Sequence, residues 1–118
     1  MAKAELKKAL DSTDEIELTV IGRKSGRKTS RPVWFVQEGE RVYLLPVKGS
    51  NTEWLKNVLK NPTITITVNG LKSSVKATPI KDPAKVSQVV EKFRAKYGAG
   101  NVKKYYSKFD VAVEVRLT

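Results

Sequence analysis

The 118-residue sequence predicts a mainly β, α+β fold: six antiparallel strands closed into a small barrel, with three or four peripheral helices. Three observations carry this expectation. Short segments of alternating hydrophobicity recur, as where Ile64, Ile66 and Val68 are separated by threonines. Hairpin-length turn signals divide them, among them Glu38-Gly39-Glu40 and Asn69-Gly70. Six strands in so short a chain leave open edges unless the sheet curls shut.

The elements follow in order. Residues 3–10 place Leu6, Ala9 and Leu10 on one side of a charged amphipathic helix that occupies the N-terminal segment 1–12. From Ile16 to Val20 apolar residues alternate with Glu17 and Thr19, a strand with one buried face. A second strand is expected from Arg31 to Val36, with Pro32 suiting a strand start or an edge. A third runs from Arg41 to Val47, and both of these strands are apolar on both faces. A helix, a partner subunit or a flat ligand must therefore cover the second face.

Lys48 to Asn51 forms a loop ending in capping residues, and Trp54, Leu55, Val58 and Leu59 mark a helix that Pro62 stops. Residues 63–80 read as a hairpin about the type I′ signal Asn69-Gly70. Asp82 is expected to cap, and Pro83 to open, the longest helix, with Val86, Val89, Val90, Phe93 and Tyr97 on one face and Gly98 and Gly100 ending it. A further helical turn falls around Val102 to Tyr106, and a last strand spans Phe109 to Leu117. One domain, 1–118, with the barrel over 16–117, accommodates all of these elements.

Composition removes whole classes of chemistry. The chain has no histidine and no cysteine, so no Ser-His-Asp triad, Cys-His pair, histidine-bound zinc or disulfide is open to it. The 12 acids show no calcium-loop spacing, and no metal site is expected. No apolar run is long enough to span a bilayer, and the first 12 residues lack a signal-type segment, so a cytoplasmic protein is expected. An enzyme of this composition needs a cofactor to carry its chemistry. The net charge of +11 attracts polyanions without specifying which.

The charge is concentrated in one loop. Between Gly22 and Arg31 there are five basic side chains and no acid. The segment resembles a nucleotide P-loop in composition only, because Arg27 stands where glycine must precede lysine, and a proline and strand follow where a helix is required. A nucleic-acid-binding barrel remains an alternative, since a cationic hairpin loop can track a phosphate backbone, although no exposed strand face interleaves aromatic and basic residues. A merely solvated loop is the third reading. Arginines framed by glycines beside Ser25 and Thr29 form a compact donor set that suits a phosphate dianion.

The run LTVIGRKSGRKTSRPVWFV (residues 18–36), followed by a short hairpin, LLPVKGSNTEWLKNVLKNP (44–62) and a Thr/Ile strand, resembles the deazaflavin (F420)-dependent nitroreductase family. These are split-barrel flavin and deazaflavin oxidoreductases, related to the pyridoxamine-phosphate-oxidase-like FMN-binding fold. The likeness covers about residues 16–117; its most specific parts are the Gly-Arg-Lys-Ser-Gly turn and Trp-x-x-Asn before Asn61-Pro62.

The resemblance implies an F420- or FMN-dependent reductase that passes hydride to a quinone-like or nitroaromatic acceptor, often as a homodimer. It places the cofactor's phosphate tail on Arg23, Lys24, Ser25 and Gly26, with Arg31 and Pro32 opening the next strand. It sets Val47, Lys48, Gly49 and Ser50 against the ring and ribityl chain, and Trp54 and Asn57 at the pocket's closing wall. Tyr105 and Tyr106 fall where relatives place aromatics toward the substrate. Two positions depart from the pattern: Val47 replaces a serine, and Thr29 replaces an arginine for which Lys28 and Arg31 can stand in. A relative that binds the cofactor without turnover is the remaining alternative.

Overall fold

The structure is a computed structural model that describes residues 3–117. The start of the expected N-terminal helix, residues 1 and 2, lies outside the described residues, as does residue 118. The elements are α1 (Lys3–Asp11), β1 (Glu15–Ile21), β2 (Lys28–Glu38), β3 (Arg41–Leu44), α2 (Glu53–Lys60), β4 (Thr63–Val68), β5 (Leu71–Ile80), α3 (Pro83–Tyr97), α4 (Ala99–Tyr105) and β6 (Ala112–Arg116). The strands close an antiparallel barrel in the order β1-β2-β3-β6-β5-β4. The expected fold class is thus found, with four helices.

Closure depends on two long strands that each serve two neighbours. β2 pairs with β1 over Lys28–Trp34 and with β3 over Phe35–Glu38. β5 does the same, pairing with β4 over Leu71–Lys76 and with β6 over Ala77–Ile80. The β4–β5 hairpin turns at Asn69 (φ 49°) and Gly70 (φ 80°), the two left-handed positions that a type I′ turn requires.

Strand alternation fills the interior. Ile16, Leu18, Val20, Phe35, Val42, Leu44, Ile64, Ile66, Val113 and Val115 are all buried there. Helix α1 adds Leu6, Ala9 and Leu10 to this core, and α2 adds Trp54, Leu55 and Val58. Each fully buried aliphatic side chain contributes about 1.5–3 kcal/mol of transfer free energy, so neither helix is a detachable appendage.

A second core answers the question raised by the doubly apolar strands. Val36, Tyr43 and Leu45 are covered by Val86, Val89, Val90 and Phe93 of α3 and by Val102 of α4. Helices, and not a ligand, cover most of that face. A flat ligand is left only the stretch from Trp34 toward Val47.

Several boundaries differ from expectation for identifiable reasons. β2 starts at Lys28, because the polar residues 28–30 already pair with β1 in register. β3 stops at Leu44 and β6 starts only at Ala112, since Asp110 is drawn away to Ser50. Asp82 precedes α3 but makes no side-chain capping bond, and neither does Thr52 before α2. The Thr52 hydroxyl instead accepts from the Lys48 backbone N–H at 2.8 Å. Gly98 ends α3, whereas Gly100 lies within α4.

Candidate functional site

The split in the barrel follows from the pairing of β2. Its first half leans on β1, and β3 joins it only from Phe35 onward, so Lys28–Trp34 has one free edge. Pro32 lies opposite Glu17 and has no N–H, which makes theirs a non-hydrogen-bonded pair whose Pro32 backbone faces away from β1. By strand alternation the backbones of Ser30 and Trp34 face the same way. Past Leu44 the chain swings out through Leu45 and Pro46 to Val47, and the gap widens into a cavity of about 410 Å³. Arg31, Pro32, Val33 and Trp34 all line it; four consecutive residues can do so only where a strand presents its edge. Leu45, Val47 and Trp54 form the facing wall, Tyr105 and Tyr106 the α4 side, and Glu15 one end.

Aromatic packing holds one flank of this cleft. The Trp34 indole stacks on Tyr97 at 4.3 Å between centroids and 6° between planes, and Tyr105 stands edge-on to it at 5.5 Å. The Tyr97 hydroxyl accepts from the Phe35 N–H at 3.0 Å and lies 2.7 Å from the carbonyl oxygens of both Asp14 and Phe35. It thereby replaces ladder hydrogen bonds where β1 has ended. Burial pushes the Tyr97 phenol up to about 12, and burial also raises Tyr106. Both phenols stay protonated near neutrality, as aromatic walls and hydrogen-bond donors. Trp54 is only 3% exposed and serves the core and the cleft together. Both tryptophans of the chain therefore line this cavity.

The cationic loop lies beyond the Arg31 end of the cleft. It is closed by Gly22 N–H to the Arg27 carbonyl at 2.7 Å and by Gly26 N–H to the Gly22 carbonyl at 3.0 Å. Asn57 Oδ1 accepts from both the Arg23 backbone N–H (3.1 Å) and its guanidinium (2.8 Å), and the same guanidinium pairs with Glu53 at 3.0 Å. The Arg23 hydrogen bond and charge, with help from Lys56, hold the Glu53 carboxyl below its ordinary range. Arg23 thus fastens the loop to α2. Lys24, Arg27, Lys28 and Arg31 are exposed and form no ion pair among the described residues.

The Lys48–Ser50 turn is engaged elsewhere. The Asp110 carboxylate accepts from the Ser50 N–H at 2.9 Å and the Ser50 hydroxyl at 2.6 Å, bonds that lower its pKa. The Val47 carbonyl accepts from the Ser107 N–H at 2.8 Å. Of the residues singled out in the sequence, Arg31, Pro32, Val47 and Trp54 meet in the cavity, with Tyr105 and Tyr106 across from them. Arg23 and Asn57 form the clamp, Lys24, Ser25, Gly26 and Lys28 sit on or beside the loop, Gly49 and Ser50 stand against Asp110, and Lys48 forms a β-bridge to Lys108. Glu15, Val33, Trp34 and Leu45 were not singled out. Pro32 carried the available signal, since a proline inside a strand marks the free edge those residues surround.

A family model described as "Uncharacterized protein conserved in bacteria (DUF2255)" matches residues 5–117. No curated protein matches the sequence. Among solved structures, the conserved hypothetical protein Rv2991 from Mycobacterium tuberculosis is similar at TM-score 0.74 and 19% identity, covering 100% of this chain and 80% of its own. An F420-H2 dependent reductase (FDR-A) is similar at TM-score 0.67 and 18% identity, over 87% of this chain and 94% of that one. HutZ, the heme storage protein from Vibrio cholerae, is similar at TM-score 0.71 and 16% identity, over 96% and 87%. At such identities these likenesses establish a shared fold, one used by a reductase and by a ligand-storing protein alike.

Proposed function

The chain belongs to the DUF2255 family, and we propose that it is an F420- or FMN-dependent reductase that delivers hydride to a quinone-like or nitroaromatic acceptor. The single observation that carries this reading is the cleft itself: a free strand edge flanked by aromatic rings, with Arg31 and a cationic loop at one end. A flat heteroaromatic ring with an anionic tail matches that arrangement of groups, and the cavity volume lies within the range of small-molecule sites. The fold shared with an F420-H2 dependent reductase supports the same class.

The residues divide the work by chemistry. Arg31, Lys24, Arg27 and Lys28 hold the anionic tail, with charge-assisted contacts worth about 1.5–3 kcal/mol each when well formed. The free backbone groups of Ser30, Pro32 and Trp34 offer hydrogen bonds along the edge, while Trp34, Trp54, Tyr105 and Val47 enclose the ring and exclude water. When bound, a reduced deazaflavin or flavin supplies the hydride, which is why a chain without histidine or cysteine can serve as an enzyme. The Asn57–Arg23–Glu53 clamp keeps the loop shaped before the ligand arrives.

The reading takes the chain as one domain acting in the cytoplasm. It also takes the chain to be a homodimer in which Val47 and Tyr105, 42% and 51% exposed, meet a second copy at the cleft mouth. The test is anaerobic turnover: chemically reduced F420 or FMN with a naphthoquinone or a nitroaromatic, following cofactor reoxidation. Saturable acceleration with either cofactor supports the proposal. Tight binding without acceleration supports storage instead, and nucleic-acid binding without cofactor binding supports the cationic-barrel alternative.

A further inference from the structure

The cleft is electrically polarised, and we propose that Glu15 makes it a charge filter: it sets the acceptor class as flat aromatics that are neutral or cationic at the far end, and rejects anionic ones. This rests on the reading of the cleft as a cofactor and acceptor site. Glu15 lines the cavity and sits opposite Trp34 in the β1–β2 register. Arg31 lines the same cavity three residues earlier on β2, about 10 Å along the strand. Glu15 forms no ion pair among the described residues, so its charge is not cancelled locally.

The two charges therefore mark opposite ends of one aromatic slot. An anionic tail neutralises Arg31 and the loop cations, leaving Glu15 as the unbalanced charge among the residues that line the cavity, beside Trp34, with the Lys104 ammonium outside the lining at 5.4 Å from the Tyr105 ring centroid. A carboxylate next to aromatic faces favours neutral or cationic ring systems and repels sulfonates and carboxylates. At about 8 Å and an effective dielectric between that of the surface and bulk water, one like charge lowers affinity about three- to sixfold, less at high salt.

The test uses a matched pair, 2-methyl-1,4-naphthoquinone and its sulfonate, titrated into the full chain by quenching of Trp34 and Trp54 fluorescence. Because both tryptophans of the protein line the cavity, the signal reports this site without turnover. With no cofactor bound, Arg31 and the loop cations favour the sulfonate alike in every variant, so the preference is read as the change in the neutral-to-sulfonate affinity ratio between variants. Glu15→Gln is expected to lower that ratio about three- to sixfold, and Glu15→Lys to lower it further. Glu17→Gln, a charge removed two positions along β1 and outside the cavity lining, lowers the ratio less. The contribution of Arg31 cancels in this comparison, since every variant keeps it.

An unchanged preference in Glu15→Gln, an equal loss in Glu17→Gln, or no quenching by either quinone overturns the charge filter. If the preference behaves as expected but neither F420 nor FMN binds, the filter stands and the reductase reading falls. The two failures are thereby distinct.

Discussion

Asn57 holds Arg23 at two points with one oxygen: its Oδ1 accepts the Arg23 backbone N–H at 3.1 Å and the guanidinium Nη1 at 2.8 Å. A helix side chain thus fixes both the path of the cationic loop and the direction of its first arginine. The arginine is spent on architecture, and the remaining cations are left free to meet an anion.

Asn57→Ala is expected to destabilise the protein by about 1–2 kcal/mol, the cost of leaving half-buried donors without an acceptor. It is also expected to weaken cofactor binding although Asn57 does not line the cavity. Asn57→Asp, which keeps the acceptor, should retain most of both. Urea melts and cofactor titrations of the two variants check this; equal behaviour of Ala and wild type would remove the clamp from the account.

Lys24→Ala combined with Arg27→Ala should leave stability within about 0.5 kcal/mol, since both side chains are solvated. Cofactor affinity should fall about tenfold at low salt, with the gap to wild type narrowing as salt screens the loop. A loss that is independent of salt would argue against an electrostatic role.

Gly49→Ala should be destabilising by about 1–3 kcal/mol. Gly49 has a φ of +55°, and a Cβ there would overlap the Asp110 carboxylate that holds the Ser50 turn. Thermal melts of Gly49→Ala alone and with Asp110→Ala test the cause: truncating Asp110 should relieve the overlap but leave the backbone strain.

Tyr97 gives a prediction in alkali. Its pKa is raised to about 12, chiefly by burial, while the unfolded chain ionises near the ordinary value of 10. The unfolded state therefore loses its proton first, so the stabilisation is complete below about pH 10 and drains away between about 10 and 12. Tyr97→Phe should flatten that alkaline decline. It should also cost about 1–3 kcal/mol at neutral pH, because the Phe35 N–H loses its acceptor. An alkaline decline of undiminished steepness in Tyr97→Phe would show that other groups control it.

Much of the barrel could be read from local chemistry. Ile64, Ile66 and Val68 alternated with threonines and are buried on one face, and Asn69-Gly70 adopts the left-handed pair its residues favour. What local patterns could not reveal was long-range competition. Lys28 to Ser30 looked like loop because they are polar and follow the glycine-framed turn, yet pairing with β1 makes them strand. Phe109 fitted the periodicity of the last strand, but Asp110 beside it is claimed by Ser50, sixty residues earlier.

The site was legible in part for the same reason. Arg31, Pro32, Val47 and Trp54 stood in recognisable stretches and line the cavity. Glu15 and Trp34 belong to it only because β1 and β2 pair in one register, which no short motif records. The doubly apolar strands did announce a covering layer, but nothing local distinguished helices α3 and α4 from a flat ligand.

The most direct measurement is equilibrium titration of the protein with oxidised F420 and with FMN, read by tryptophan fluorescence. Saturable quenching by one of them at micromolar concentration, about −8 kcal/mol of binding, weakened at least tenfold by Arg31→Ala, is the predicted result. No quenching by either up to about 1 mM, where even a binding free energy of about −4 kcal/mol would register, would contradict the assignment of the split beside β2 as a cofactor cleft.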